Sequence, residues 1–182
     1  MLYKKALSNI VATVLLILLT IAAVVIIAGF VIPMVRDGLT GGTECFDYRD
    51  YFTFEEDFGY NCYNDSFVNR LYGVSVRAGG IDDESEAEIK GFRLSFTSGS
   101  ESSAVDVDVG RITDSSEDGI RMLDASAVVL EIPKSGEVRT YVFNSSNTFS
   151  SVDIVAKLKS GKVCDKSDSI TLNRVCTNAM YG

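Results

Sequence analysis

The sequence predicts an α+β protein, one long hydrophobic N-terminal helix followed by an antiparallel β-sandwich, of which the immunoglobulin-like arrangement is one version at about seven strands. Three observations carry that prediction. Residues 6–35 contain no charged side chain and follow directly on Lys4-Lys5. Beyond residue 68 the apolar pattern switches to a period of two, which is the period of a half-buried strand. All four cysteines lie on the far side of the apolar stretch.

The apolar stretch comes first. A bilayer core of roughly 30 Å needs about 20 apolar residues, whereas residues 6–35 as a helix would extend about 45 Å. A helix so uniformly apolar has to be covered on all sides, by lipid, by other helices, or by each in turn. As a cleaved secretory signal the stretch is too long, because an apolar h-region runs about 7 to 15 residues and no polar cleavage region closes this one. As a permanent anchor it would keep Lys4 and Lys5 in the cytoplasm and direct residues 36–182 outward. Pro33 removes one backbone donor and should kink the helix near its end. Gly38-Leu39-Thr40-Gly41-Gly42 should stop it.

The residues around the start of this helix have a particular order: Lys4-Lys5-Ala6-Leu7-Ser8-Asn9, then Ile10-Val11-Ala12-Thr13-Val14-Leu15-Leu16. Over residues 4–36 this resembles the class III signal and N-terminal helix of the archaeal type IV pilin family. The resemblance implies a prepilin peptidase cut after Lys5-Ala6, so that the mature chain begins at Leu7. It also implies a helix that anchors the subunit in the membrane before assembly and packs in a filament core afterwards. Many such pilins have Pro where this chain has Asn9, and bacterial type IV pilins have Glu where it has Val11. Archaellins usually show a Gly-Ile-Gly type start, which Asn9-Ile10-Val11 does not reproduce. On this reading residues 1–6 are a leader, 7–40 the helix and 44–182 an extracellular β-domain.

After the helix, residues 44–63 are acidic and crowded with aromatics: Phe46, Tyr48, Tyr51, Phe52, Phe54, Phe58, Tyr60 and Tyr63. These either pack the segment onto its own domain or face a neighbouring subunit or ligand. Strands follow where apolar residues alternate: Leu71–Arg77, Phe92–Phe96, Val105–Val109, Ala127–Ile132, Val138–Val142, Val152–Leu158 and Ser169–Val175. Asp82-Asp83-Glu84 with Glu86 and Glu88 reads as a solvated loop.

Cys45, Cys62, Cys164 and Cys176 form an even set in a segment directed outward, which reads as two disulfides. Order in the sequence favours Cys45 with Cys62 and Cys164 with Cys176, each short loop contributing about 3 kcal/mol in the chain-entropy description. Zinc sites use tight C-x₂₋₄-C pairs, and none occurs here.

The chain has no histidine, which removes Ser-His-Asp and Cys-His nucleophile systems, histidine bases and most transition-metal sites. No Gly-rich phosphate loop follows a strand. The expectation is a protein that is not an enzyme and needs no cofactor. The nearest approach to a metal site is Asp114, Ser116 and Asp118 ahead of Gly119, the spacing of the first half of a calcium loop. Ala125 stands where the closing bidentate Glu would be. Asn64-Asp65-Ser66 and Asn144-Ser145-Ser146 are N-glycosylation acceptors. Net charge is −8, falling to −10 if Lys4 and Lys5 leave with the leader. Such a surface repels nucleic acid and suits a soluble exterior.

The sequence therefore points to a structural subunit of an extracellular type IV pilus-like filament for surface adhesion. Its partners would be further copies of itself in a helical filament, the peptidase and assembly machinery, and the membrane before assembly, with no nucleic acid. The competing reading is a membrane-anchored surface binding module, or an archaellum stator-like component, that does not polymerise.

Overall fold

A computed structural model describes residues 3–35, 44–65, 69–114, 119–124 and 128–177. The chain divides into two compact units, Met1–Glu44 and Cys45–Gly182.

The first unit is helical. α1 runs Tyr3–Ile26, passes into a wider π-type turn at Ile27–Val31, and helix continues to residue 35. The expected helix over 7–40 thus begins earlier, and residues 36–43, its predicted stop among them, lie outside the described residues. The irregularity anticipated at Pro33 appears one turn ahead of it, and the reason is steric. In α geometry a proline ring collides with the carbonyl four residues back, here that of Gly29. In the wider turn the Ile32 N–H instead reaches back five residues to the Ile27 carbonyl. Short π segments of this kind are a recognised cause of helix bending.

Among the described residues the second unit holds nine strands, all paired antiparallel: β1 (Phe52–Phe54), β2 (Cys62–Asp65), β3 (Arg70–Ala78), β4 (Ile89–Ser98), β5 (Glu101–Asp108), β6 (Ile120–Met122), β7 (Val138–Ser145), β8 (Ser151–Leu158) and β9 (Val163–Thr171). One sheet has the order β1-β3-β7-β6, with β2 also on β3, and the other the order β5-β4-β8-β9. Taking β1 and β2 together as the first strand, this is the A-B-E-D and C′-C-F-G order of an immunoglobulin-type sandwich. The usual markers of antibody domains are missing, since the chain has no tryptophan and its cysteines lie elsewhere.

Alternation builds the core. Phe92, Leu94 and Phe96 of β4 and Val152, Ile154 and Ala156 of β8 are fully buried, opposite Tyr72, Val74 and Val76 of β3 and Tyr141 and Phe143 of β7. Rings meet across the two sheets: Phe96 stacks on Phe143 at 4.5 Å, and Phe92 meets Tyr141 edge-on at 5.3 Å. Each such ring removed from water stabilises the fold by roughly 1.5–3 kcal/mol. Tyr72 and Tyr141 also satisfy their hydroxyls. Tyr72 donates to the Asn147 carbonyl and accepts from the Phe149 N–H, and Tyr141 donates to the Glu131 carbonyl. At the start of β4 the register slips between Ile89 and Gly91. A Cβ at Gly91 would come within 2.0 Å of the Val107 carbonyl oxygen, so only glycine fits there.

Three sequence expectations need correction. Of the strand expected over 127–132, the described residues 128–132 form no strand and make one bridge, Val129 to Ile112. The last strand lies at Val163–Thr171 rather than Ser169–Val175, because it is an edge strand whose pairing with β8 carries two register irregularities and little burial. Residues 83–87 form a short helix, α2 (Asp83–Ala87), where a loop was expected. Asp82 caps it by accepting from the Ser85 N–H, and Asp83, Glu84 and Glu86 fall in its first turn, where acidic side chains favour helix.

Candidate functional site

The candidate functional surfaces are the helix, the cysteines, the acceptor asparagines and the charged faces.

The helix is the most distinctive of these. Val11–Val35 has a mean hydropathy of 3.2 and is long enough to cross a membrane. Its side chains stand exposed all round, Leu19 at 71% and Phe30 at 75%. Its one polar hydroxyl near mid-length, Thr20, donates back to the Ile17 carbonyl at 2.8 Å. A helix satisfies its backbone internally, which is what hydrocarbon surroundings require. The expected processing junction, Lys5, Ala6 and Leu7, falls inside α1.

All four cysteines are oxidised, but the partners differ from those that sequence order suggested. Cys45 joins Cys164, and Cys62 joins Cys176. The topology explains the change. β9 returns alongside β1, where Asp168 accepts from the Phe54 N–H at 2.8 Å, bringing Cys164 to the start of the unit. Residues 174–176 run beside β2, with the Tyr63 N–H donating to the Arg174 carbonyl and the Cys176 N–H to that of Tyr63, each at 2.9 Å. The bridges span 119 and 114 residues. A first loop near 100 residues corresponds to about 4.7 kcal/mol in the chain-entropy description, and the second bridge, closing a ring of about 30 residues once the first is in place, to about 3.6 kcal/mol, against about 3 kcal/mol for each of the short loops expected.

The aromatic segment divides. Tyr48, Tyr51, Phe52 and Phe54 are buried in the sandwich core, while Phe46 and Phe58 stand 74% and 53% exposed. Burial, with the Glu86 and Glu137 charges adding to it, pushes the Tyr51 hydroxyl up to about 12.

Outside the second sheet, charges cross-link three strands. Arg93 Nε lies 2.6 Å from Asp106 Oδ1; Lys157 Nζ bridges Asp106 at 2.7 Å and Asp108 at 3.0 Å; Lys90 reaches Asp108 at 3.3 Å. Hydrogen bonding from Arg93, then from Lys157, holds the Asp106 carboxyl down at about 2 against the opposing effect of burial. On the first sheet Arg77 pairs with the buried Glu55 and lowers its pKa, chiefly by hydrogen bonding. Alternation of Asp106 and Asp108 with Val105 and Val107 shows in sequence that these carboxylates face outward, but not which cations meet them. A groove of about 620 Å³ at one end of the sandwich has Ile89, Val109 and Ile132 along it and Lys90, Lys134 and Lys159 at its rim. Glu86, Glu131 and Glu137 line it as well.

Of the calcium candidates, Asp114 is described, its N–H donating to the Ile120 carbonyl at 2.9 Å; Ser116 and Asp118 lie outside the described residues. Among the described residues no three carboxylate or cysteine groups converge as a metal site. Asn64 falls on β2 and Asn144 on β7, both half-buried; Ser66 of the first acceptor motif lies outside the described residues. No family model, curated protein or solved structure matches the chain.

Proposed function

We propose that this chain is a structural subunit of an extracellular type IV pilus-like filament that serves surface adhesion. One observation carries the reading: a helix whose charge-free stretch Val11–Val35 has apolar side chains exposed on every side and is longer than a bilayer requires, with a Lys4-Lys5-Ala6-Leu7 junction ahead of it in the sequence. Such a surface is covered by lipid while the subunit waits in the membrane and by neighbouring helices after assembly. Among helices in lipid the hydrophobic effect supplies little, so polymerisation is driven by close helix packing and by contacts between outer domains. The disulfide-bonded sandwich of this acidic chain, whose net charge is −8, suits the outer surface. A prepilin peptidase and membrane assembly machinery are the partners this route needs.

The test is made on protein from the cells that produce it. Sheared surface filaments should contain the chain in abundance, with Leu7 as the mature N-terminus. A mature end near residue 30 would mean an ordinary secretory signal. A chain that begins at Leu7 but stays monomeric in the membrane would replace the filament reading with the anchored binding module.

A further inference from the structure

The open edges of the two sheets are not alike. On the first sheet the outer side of β1 is closed by Asp168, which accepts from the Phe54 N–H. That of β2 is closed by residues 174–176, which bond the Tyr63 amide and carbonyl, and β6 is only three residues long. On the second sheet β9 is stopped by the same aspartate, whose other oxygen accepts from the Ser169 N–H at 2.7 Å. β5 is different.

β5 runs against β4 with an unbroken register. Beyond its last pair, Gly91 with Asp108, the Val109 N–H donates to the Lys90 carbonyl at 3.0 Å. In an antiparallel ladder, residues that bond across alternate with residues that do not. Ser103, Val105 and Val107 therefore turn their amides and carbonyls toward β4, and Ser102, Ala104 and Asp106 turn theirs away. The Asp106 carbonyl is taken by the Arg111 guanidinium, and the Asp108 carbonyl by the Arg111 N–H at 3.1 Å. Ser102 and Ala104 stand exposed, and their outward groups meet no partner among the described residues. They present two amides and two carbonyls in a row on small uncharged side chains, without the lysine, proline or bulge that natural edges use against strand pairing.

We infer that β5 pairs with β5 of a second copy of this chain, antiparallel about a two-fold axis, joining the four-stranded second sheets of two β units edge to edge. The edge is complementary to itself. With Ser102 opposite the partner's Ala104 and Ala104 opposite the partner's Ser102, all four free groups are bonded and Asp106, already engaged, is left out. Ser103 then meets the partner's Ser103 on the axis, and Glu101 faces the partner's Val105. Glu101 and the partner's Glu101 lie four residues apart along the strands, about 14 Å, beyond the screening length of about 8 Å in physiological salt. Four hydrogen bonds make a small contact, so it forms where copies are held close together, on one membrane or one filament. The pairing is a property of the β unit and does not depend on polymerisation through the helix.

Ser103→Cys in the full-length protein, on the membrane or surface of the cells that make it, should give a disulfide-linked dimer on a non-reducing gel, with peptide mapping placing the link at position 103 of both copies. Ser135→Cys, in the exposed turn ahead of β7, measures random collision and should give several-fold less. Adding Ala104→Pro to Ser103→Cys should abolish the link, since it removes an outward N–H while leaving the ladder with β4 intact. If that variant misfolds, Ala104→Lys, which sets like charges about 7–8 Å apart across the axis, should lower the yield several-fold. No link at 103, equal yields at 103 and 135, a link from 103 to a different protein, or a link that survives the Ala104 changes would each overturn the inference. Filaments without the link would overturn this inference alone; linked membrane dimers without filaments would overturn the filament reading alone.

Discussion

Leu19 and Ile21 in the helix stand 71% and 55% exposed, while Leu94 and Ile154 in the sandwich are fully buried. The residue types are the same, and the difference lies in where their cover comes from. In the β unit a single chain supplies both walls of the core, so burial is complete within one copy. The helix satisfies its own hydrogen bonds but not its side chains, and its cover has to come from lipid or from other chains. Stability of the β unit is therefore a property of the monomer, whereas that of the helix is a property of its surroundings.

The largest test of this contrast is a charge at mid-helix. Ile21→Asp should abolish filament assembly while leaving thermal unfolding of the β unit unchanged, since a carboxylate at the centre of an apolar helix costs at least about 2.5–3.5 kcal/mol even on the permissive insertion scale. Ile21→Val should assemble normally. Filament yield against membrane-bound monomer gives the answer, and normal filaments from Ile21→Asp would break the comparison.

Next come the disulfides. Removing Cys45–Cys164 or Cys62–Cys176 by paired Ser substitution should each cost about 3.5 kcal/mol, because the remaining bridge shortens the ring to about 30 residues, while removing both should cost about 8 kcal/mol; denaturant unfolding with a β-sheet signal measures it. A double removal that costs much less than about 8 kcal/mol would indicate that the denatured chain is already compact. Phe96→Ala should cost about 3–5 kcal/mol by the cavity it leaves between the sheets, while Leu19→Ala leaves β-unit stability unchanged.

The smallest effect is electrostatic. The Asp106 carboxyl is depressed in the folded protein from 3.8 to about 2. Its contribution is therefore fully present above the unfolded value and is lost as pH falls through the folded one, between about pH 4 and about pH 2. Asp106→Asn should flatten that part of the stability profile, measured as denaturation midpoint against pH, and shift the midpoint little elsewhere on this half-exposed network.

The parts of the fold legible in the sequence were those with a repeating physical cause. Phe92-x-Leu94-x-Phe96 and Val152-x-Ile154-x-Ala156 alternate because each strand has one wet face, and they mark the two central strands of the second sheet. Three-residue strands such as Phe52–Phe54 and Ile120–Met122 are too short to show a period. The last strand, Val163–Thr171, is an edge with little to bury. Disulfide partners depend on which strands return beside which, and neighbours in sequence gave the wrong pairs. Asn64 and Asn144 were readable as motifs, but that both stand opposite Leu71 depends on the registers of two strand pairs. The helix was plain from composition alone.

The crossed disulfides also fix how the β unit would carry a pull. Tension applied at Cys45 and at Cys176 does not have to run along the whole sandwich. It passes through the sulfur bridge to Cys164 and then along the short stretch to Cys176, which drawn out fully at about 3.4 Å per residue is roughly 40 Å long. A second covalent path runs from Cys45 along the chain to Cys62 and across the other bridge. Strands β3 to β8 lie outside both paths. Mechanically the unit is a leash of fixed length with the sandwich hung beside it, able to lengthen a little under load while the core strands stay folded.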